Sequence, residues 1–371
     1  MQRYEIIANF ARMAEAKSIE TLSVTFTAGV IAGTGLSGAG PVLPFLLLSL
    51  LVLPFAFYHR LVRMPSAGST AILALTFLIL GMFCAWNGAQ PGIAFRSFPE
   101  EYAGRAVERL RDLIDAIPFR ADETAPLLKA LLTGERSGLS RETTVLFRES
   151  GASHLLALSG LHIGIIYLIF DKLTQVIGHT RTARVLRYAA ILSGAGFFTL
   201  MTGAGPSTVR AFLFIAIGET LRLTGRRRNS IRVLSLALLV QLAVNPAAVR
   251  NLGFQLSYLA MAGIFLLYPI LAKWYPEGSS ANPLRRIWNM ASLSISCQVF
   301  TAPLVWLRFH TFPVYFLITN LLAIPLTSML MGASVLTVGL GAFGACPDLL
   351  IKTTDGLCRL LLTVLEVIAS M

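Results

Sequence analysis

Apolar residues run along this chain in long uninterrupted blocks, without the alternation of half-buried strands. Asp, Glu, Lys and Arg are all absent from residues 21–58, 64–95, 150–170, 188–209, 251–272, 287–307 and 311–347. A helix crosses a bilayer in ~20 residues, so each block accommodates one or two spans, and the pattern predicts about ten or eleven membrane segments. The fold class expected is all-α, a polytopic transmembrane helical bundle with some segments broken or re-entrant. Three spans open the chain, over 21–36, 42–58 and 70–88.

Residues 95–150 interrupt the blocks, and there basic and acidic residues nearly balance. Tyr102, Ala106, Leu110, Leu113, Ile114 and Ile117 recur at helical spacing, which predicts an amphipathic helix ending near Pro118. A second helix is expected from about Glu123, through Leu127, Leu128, Leu131 and Leu132, to Gly134 as its stop. A third starts after Ser140 as N-cap and leads to Gly151. All three are expected on the outer face, lying against the membrane surface.

Composition agrees with this picture. Of 371 residues, 55% are hydrophobic and only 13% charged, against about a quarter charged in soluble chains. The net charge of +12 suggests nucleic acid until topology is considered. With a cytoplasmic N-terminus, the basic clusters at 3–17, 60–63, 172–187, 222–232 and 273–286 all fall inside, and only Arg250 and Arg308 occupy short outer loops. Most of the charge is positive-inside bias and makes no case for DNA. Residues 1–20 are polar and amphipathic, without the apolar core of a cleavable signal. Cys84, Cys297, Cys346 and Cys358 are scattered in apolar context and read as packing residues.

The run Gly151-Ala-Ser-His-Leu-Leu-Ala-Leu-Ser-Gly-Leu-His-Ile-Gly164 stands apart, placing two histidines, two serines and three glycines at the mouth of a membrane-grade segment. An unpaired hydroxyl or imidazole in hydrocarbon costs several kcal/mol, and each glycine weakens a plain helix by about 1 kcal/mol. A broken element beside a polar cavity is the economical solution. Ser159 and His162, three apart on a helix, share a face and reach hydrogen-bond distance, which leaves open a serine nucleophile with its base, a polar pathway, or simple helix capping. Arg210 and Glu219 are charges inside an apolar block. Arg210 lies about 6 Å into a helix begun by Pro206, close enough to the end to snorkel outward, and Glu219 can pair with Arg222. Asn245, Gln255, Ser257, Gln298 and Asn320 stand near Pro246, Pro303 and Pro325, a pairing that marks interrupted helices near a binding or conduction site. The histidines are dispersed and no paired-metal cluster, phosphate-binding loop or dinucleotide fingerprint is present. No cofactor is expected.

The same glycine-rich run resembles the signature of ComEC-type DNA uptake proteins, whose members carry a G-x-S-H-L-L-A-x-S-G-x-H-x-G segment. The resemblance continues in Pro206-Ser-Thr-Val-Arg-Ala211, in Asn245-Pro246 with Gly253-Phe-Gln-Leu-Ser257, and in Asn320-Leu-Leu-Ala-Ile-Pro325, over roughly residues 120 to 345. It implies a channel in the bacterial inner membrane that passes single-stranded DNA to the cytoplasm during natural competence. The partners implied are the DNA strand, membrane lipids, a DNA receptor and a separate ATPase. The OB-type barrel and metallo-β-lactamase-like domain usual in such proteins are not in this sequence, so nuclease activity is not implied. Three parts are expected: residues 1–95, a group of three spans; 96–150, an extracytoplasmic amphipathic segment; and 151–371, the competence-type channel domain. Candidate channel-lining residues are His154, Ser159, Gly160, His162, Gly164, Arg210, Gln255, Ser257 and Asn320, with His154, Ser159, His162, Arg210 and Gln255 expected around one cavity. Gly160 and Gly164 are expected to permit a close helix approach or a local break. The competing readings are a membrane-embedded hydrolase of a lipid-linked substrate, using Ser159 and His162, and an inactive short member of the family.

Overall fold

A computed structural model describes residues 19–35, 66–88, 98–178, 180–275, 283–310 and 314–371. Among these residues the chain is all-α, with no strand. The second expected span, over 42–58, lies outside the described residues. Helices over Leu252–Ala272, Pro283–Phe309 and Phe316–Gly341 are long and apolar enough to cross a membrane, and the protein is a membrane protein. Large apolar side chains cover the outside of the two longest, with Leu307 70% and Leu336 60% exposed, as suits a surface whose solvent is lipid.

The chain separates into two units, one comprising Met1–Phe95 with Gly225–Gln255, the other Arg96–Thr224 with Leu256–Met371. In the first, α1 (Ile19–Gly35) lies against α2 (Ser66–Gly88). Glycines form their seam: a Cβ on Gly29 would stand 2.0 Å from the Leu78 carbonyl oxygen, and one on Gly81 2.2 Å from that of Phe26. Without a hydrophobic driving force between helices in lipid, such backbone contact is what holds a pair together. The helix α10 (Ser230–Val244) packs on α1 and is capped by Asn229, which accepts from the amides of Ile231 and Arg232.

The second unit begins with three helices at the predicted places: α3 (Phe98–Asp115), α4 (Thr124–Thr133) and α5 (Arg141–Glu149). Gly134 ends α4 in the left-handed region, φ 81°, and Ser140 caps α5 by accepting from the Thr143 amide. One expectation fails here. α4 does not lie on a membrane surface; Leu127, Leu128, Leu131 and Leu132 are all buried, among Ile114, Phe147, Leu330 and Cys358. The reason is that α14 (Phe316–Gly341) and α15 (Asp348–Ala369) close over it, so its four leucines meet protein and not lipid. The Glu123 side chain makes no cap bond to α4. Instead Asp355 of α15 accepts from the Arg120 amide at 2.8 Å and the Thr124 hydroxyl at 2.7 Å.

The remaining helices are α6 (Ser153–Leu156), α7 (Gly160–Thr174), α8 (Arg181–Met201), α9 (Pro206–Leu223), α11 (Leu252–Leu266), α12 (Tyr268–Ala272) and α13 (Pro283–Phe309). Pro246 opens a short 3-10 turn, but Pro303 and Pro325 sit inside continuous helices α13 and α14. The expected interruptions at those two prolines are absent. Each proline removes one backbone bond, whereas a full break in an apolar layer strands several groups.

Candidate functional site

The glycine-rich run is broken as its composition required. After α5, Gly151 turns the chain at φ 76°, α6 makes one turn, and the backbone is extended at Ala157 and Ser159 before α7 begins. A break leaves carbonyls without helical partners, and in an apolar setting they need donors. Arg136 supplies one, its Nη2 donating to Leu156 O at 2.9 Å; Thr319 of α14 supplies another, its hydroxyl donating to Ser150 O at 2.6 Å. His154 is exposed, and its Nδ1 turns back to Gly151 O at 3.3 Å.

Ser159 and His162 do meet, with Oγ 3.1 Å from Nδ1, but not by sharing a helix face. Ser159 is the N-cap, in extended conformation, and its Oγ accepts from the Leu161 amide. The Ser159 amide in turn donates to His162 Nδ1 at 3.3 Å, so the two side chains form a capping box. Because Nδ1 accepts that bond, the ring proton sits on Nε2, which is buried and has no partner among the described residues. A serine nucleophile needs in addition a carboxylate orienting the other ring nitrogen, and Nε2 has none among the described residues.

Arg210 approaches the same helix start. Pro206 occupies the first turn of α9, as expected, but the side chain does not snorkel outward. Arg210 is 7% exposed and its Nε donates to Ser257 Oγ of α11 at 2.6 Å. Its Nη2 lies 3.1 Å from where a Cβ on Gly160 would stand, whereas a Cβ on Gly164 would meet nothing within 4 Å. The close approach expected at both glycines therefore occurs at Gly160 alone. The inward turn follows from what is available: the Ser257 hydroxyl on α11 accepts from Nε, and the missing side chain at Gly160 leaves room for the rest of the fork.

The structure thus brings Ser159, Gly160, His162, Arg210 and Ser257 together. Gln255 lies two residues before Ser257, about 200° around the same helix, and its Nε2 donates to Val249 O at 2.8 Å. Asn320 lies beside Thr319 in α14, its Oδ1 buried with no partner among the described residues. Thr319 itself had no distinguishing mark in the sequence beyond its neighbour.

A second polar group lies further along α7, α8 and α9. The Tyr167 hydroxyl donates to Glu219 Oε1 at 2.8 Å, Arg222 stands 3.5 Å from the same oxygen, and Asp171 accepts from Arg187 and from Arg222. The Glu219 to Arg222 pair is legible from its spacing; Tyr167 and Asp171 are not, since a tyrosine in an apolar run and an aspartate at its edge look like ordinary interface residues. Helices α7 and α9 therefore run parallel, joined at one end by Gly160 and Arg210 and at the other by Tyr167 and Glu219. Ile163, Ala195, Phe198 and Ala211 fill an apolar layer along them. Among the described residues no three His, Cys, Asp or Glu side chains gather as a metal site.

Comparison with known proteins adds to this geometry. The family model described as Competence protein matches residues 131–371, and the chain belongs to that family. It is 28% identical over 203 residues to the uncharacterized protein YcaI of Escherichia coli, covering 53% of this chain and 26% of that protein. Over 241 residues it is 25% identical to ComE operon protein 3 of Bacillus subtilis, 65% of this chain and 30% of the relative. Recombination protein 2 of Haemophilus influenzae is 26% identical over 213 residues, 55% and 27% respectively. The chain therefore spans less than a third of the length of these relatives. No solved structure matches it.

Proposed function

We propose that this chain, as a member of the competence protein family, is a multi-pass channel of the bacterial inner membrane that passes single-stranded DNA into the cytoplasm during natural competence. The observation that carries this reading is the meeting of Gly160, His162, Arg210 and Ser257 at a break in the membrane-grade segment. A polyanionic strand needs hydrogen-bond donors and positive charge along its route, without tight base-specific contacts that would slow release. The names of the Bacillus relative and of competence protein ComA of Neisseria gonorrhoeae support placing the chain in such a machine. A DNA receptor and a separate ATPase would work beside it, in a lipid bilayer, with residues 96–150 outside and 151–371 as the channel domain. Chemistry on a lipid-linked substrate is disfavoured by the cap that Ser159 and His162 form.

Complementation decides the matter. Expressed in a strain lacking its uptake channel, the chain should restore entry of labelled DNA, and failure at normal membrane levels overturns the channel reading. A reporter fused near Arg227 should read cytoplasmic and one near Glu123 external; the reverse would invert the direction of transport.

A further inference from the structure

Arg210 is a buried cation with no counter-charge among the described residues. Among these residues its one hydrogen-bond partner is the neutral Ser257 hydroxyl, and no carboxylate lies within ion-pair distance of it. The acidic residue further along α9, Glu219, is nine residues on, about 13 Å by helical rise, and is bound by Tyr167 and Arg222. Asp171 is held by Arg187 and Arg222. A buried guanidinium left in this state is strongly unfavourable, and proteins normally resolve it with a paired anion. The unfavourable field is increased by the neighbour: Nη2 reaches the first residue of α7, a fifteen-residue helix whose N-terminal turn carries partial positive charge. The absent side chain at Gly160 leaves the fork and the helix start side by side. Two positive groups placed in contact, with no negative group supplied by the described residues, describe half of an oxyanion site.

We propose that the Arg210 guanidinium and the N-terminal turn of α7 bind a phosphodiester group, with Ser257 fixing the guanidinium by its Nε so that the two Nη atoms face the anion. Two sources carry this chemistry, the backbone of a nucleic acid strand and the head group of an anionic phospholipid. The strand is the source if the channel reading above holds, and the site then names one of its phosphate contacts.

The test uses the full chain in nanodiscs of phosphatidylcholine, with labelled oligothymidylate as probe and the same oligomer carrying uncharged methylphosphonate linkages as control. Parent protein should bind the phosphodiester form at least tenfold more tightly. Arg210→Gln should weaken that binding about tenfold and lower the slope of log K against log salt by about 0.7, the loss of one phosphate contact on a single strand. Arg210→Lys should recover part of the affinity but not all, because an ammonium lacks the planar fork. Without oligomer, Arg210→Gln should melt no lower than the parent, since an uncompensated charge has been removed. A melting temperature lowered by several degrees would show that Arg210 holds helices together, and an unchanged slope and affinity with no Arg210-dependent response to phosphatidylglycerol would show that it binds no phosphodiester; either result overturns the proposal. If phosphatidylglycerol raises the parent's melting temperature and not that of Arg210→Gln, while oligomer binding ignores Arg210, the site stands with lipid as its source. Failure of the parent to complement sinks the channel; an importing parent whose Arg210→Gln variant is indifferent to oligomer and lipid alike sinks only this site.

Discussion

Glycine does opposite work in the two units. In the seam of α1 and α2, Gly29 and Gly81 admit the backbone of the facing helix, and nothing polar is exposed by the contact. At the start of α7, Gly160 admits a guanidinium. Both segments have membrane-grade composition, so what separates them is the group that enters the space: a carbonyl that is already bonded within its own helix, or a charge that still needs a partner. Close packing in lipid gives stability in the first case and an unmet chemical need in the second.

The largest effect should come from breaking the first seam. Gly81→Val places a Cβ 2.2 Å from Phe26 O, which neither backbone can relieve, and should destabilise the pair by about 3 kcal/mol or more. Denaturation in micelles would show it as a large fall in midpoint; an unchanged midpoint would mean that the seam does not hold the helices.

Next comes Glu219→Gln, which keeps an acceptor for the Tyr167 hydroxyl but removes the attraction to Arg222. With Arg222 more than half exposed, the loss should be about 1 kcal/mol. A loss several times larger would make the second polar group a keystone of the bundle rather than a surface clasp.

Gly160→Ala sharpens the contrast with Gly81→Val. The new Cβ meets the flexible end of Arg210 at 3.1 Å, so stability should change by less than about 0.5 kcal/mol, while oligomer binding falls severalfold as the guanidinium is displaced. Equal losses of stability in the two glycine variants would erase the distinction.

The smallest effect concerns surface charge. Lys352, by its hydrogen bond to Asp348 and by its charge, and Arg120 hold the Asp348 carboxyl below its ordinary 3.8. A depressed carboxyl stabilises the fold fully above its unfolded pKa and loses that contribution as pH falls through the folded value. Lys352→Met should therefore flatten the acid end of the melting profile slightly, with no change at neutral pH. A change at neutral pH instead would show another role for Lys352.

How much of this was legible follows from the range of the interactions. The break at Gly151 to Gly164, the stop at Gly134 and the cap at Ser140 are local, set by residues within four positions, and periodicity with turn chemistry revealed them. The role of Ser159 is not legible because spacing alone does not distinguish an N-cap from a helical residue, although either one reaches His162. The inward turn of Arg210 depends on a hydroxyl 47 positions away, and no local rule weighs that against snorkelling. Pro303 and Pro325 do not break their helices because in lipid a single lost bond is tolerated, while the rule linking proline to interrupted helices concerns binding sites. Burial of α4 is not legible in the sequence, because its charged surroundings resemble those of a surface helix.

The clamp of Asp355 on α4 also bears on how the chain is made. Its two bonds join residues 231 and 235 positions apart, so α4 leaves the ribosome long before the carboxylate that completes its first turn. At roughly 5–20 residues per second, that gap lasts about ten to fifty seconds. During this interval the leucines of α4 have no α15 to cover them, and the nascent segment must be sheltered by membrane, insertase or chaperone until synthesis catches up.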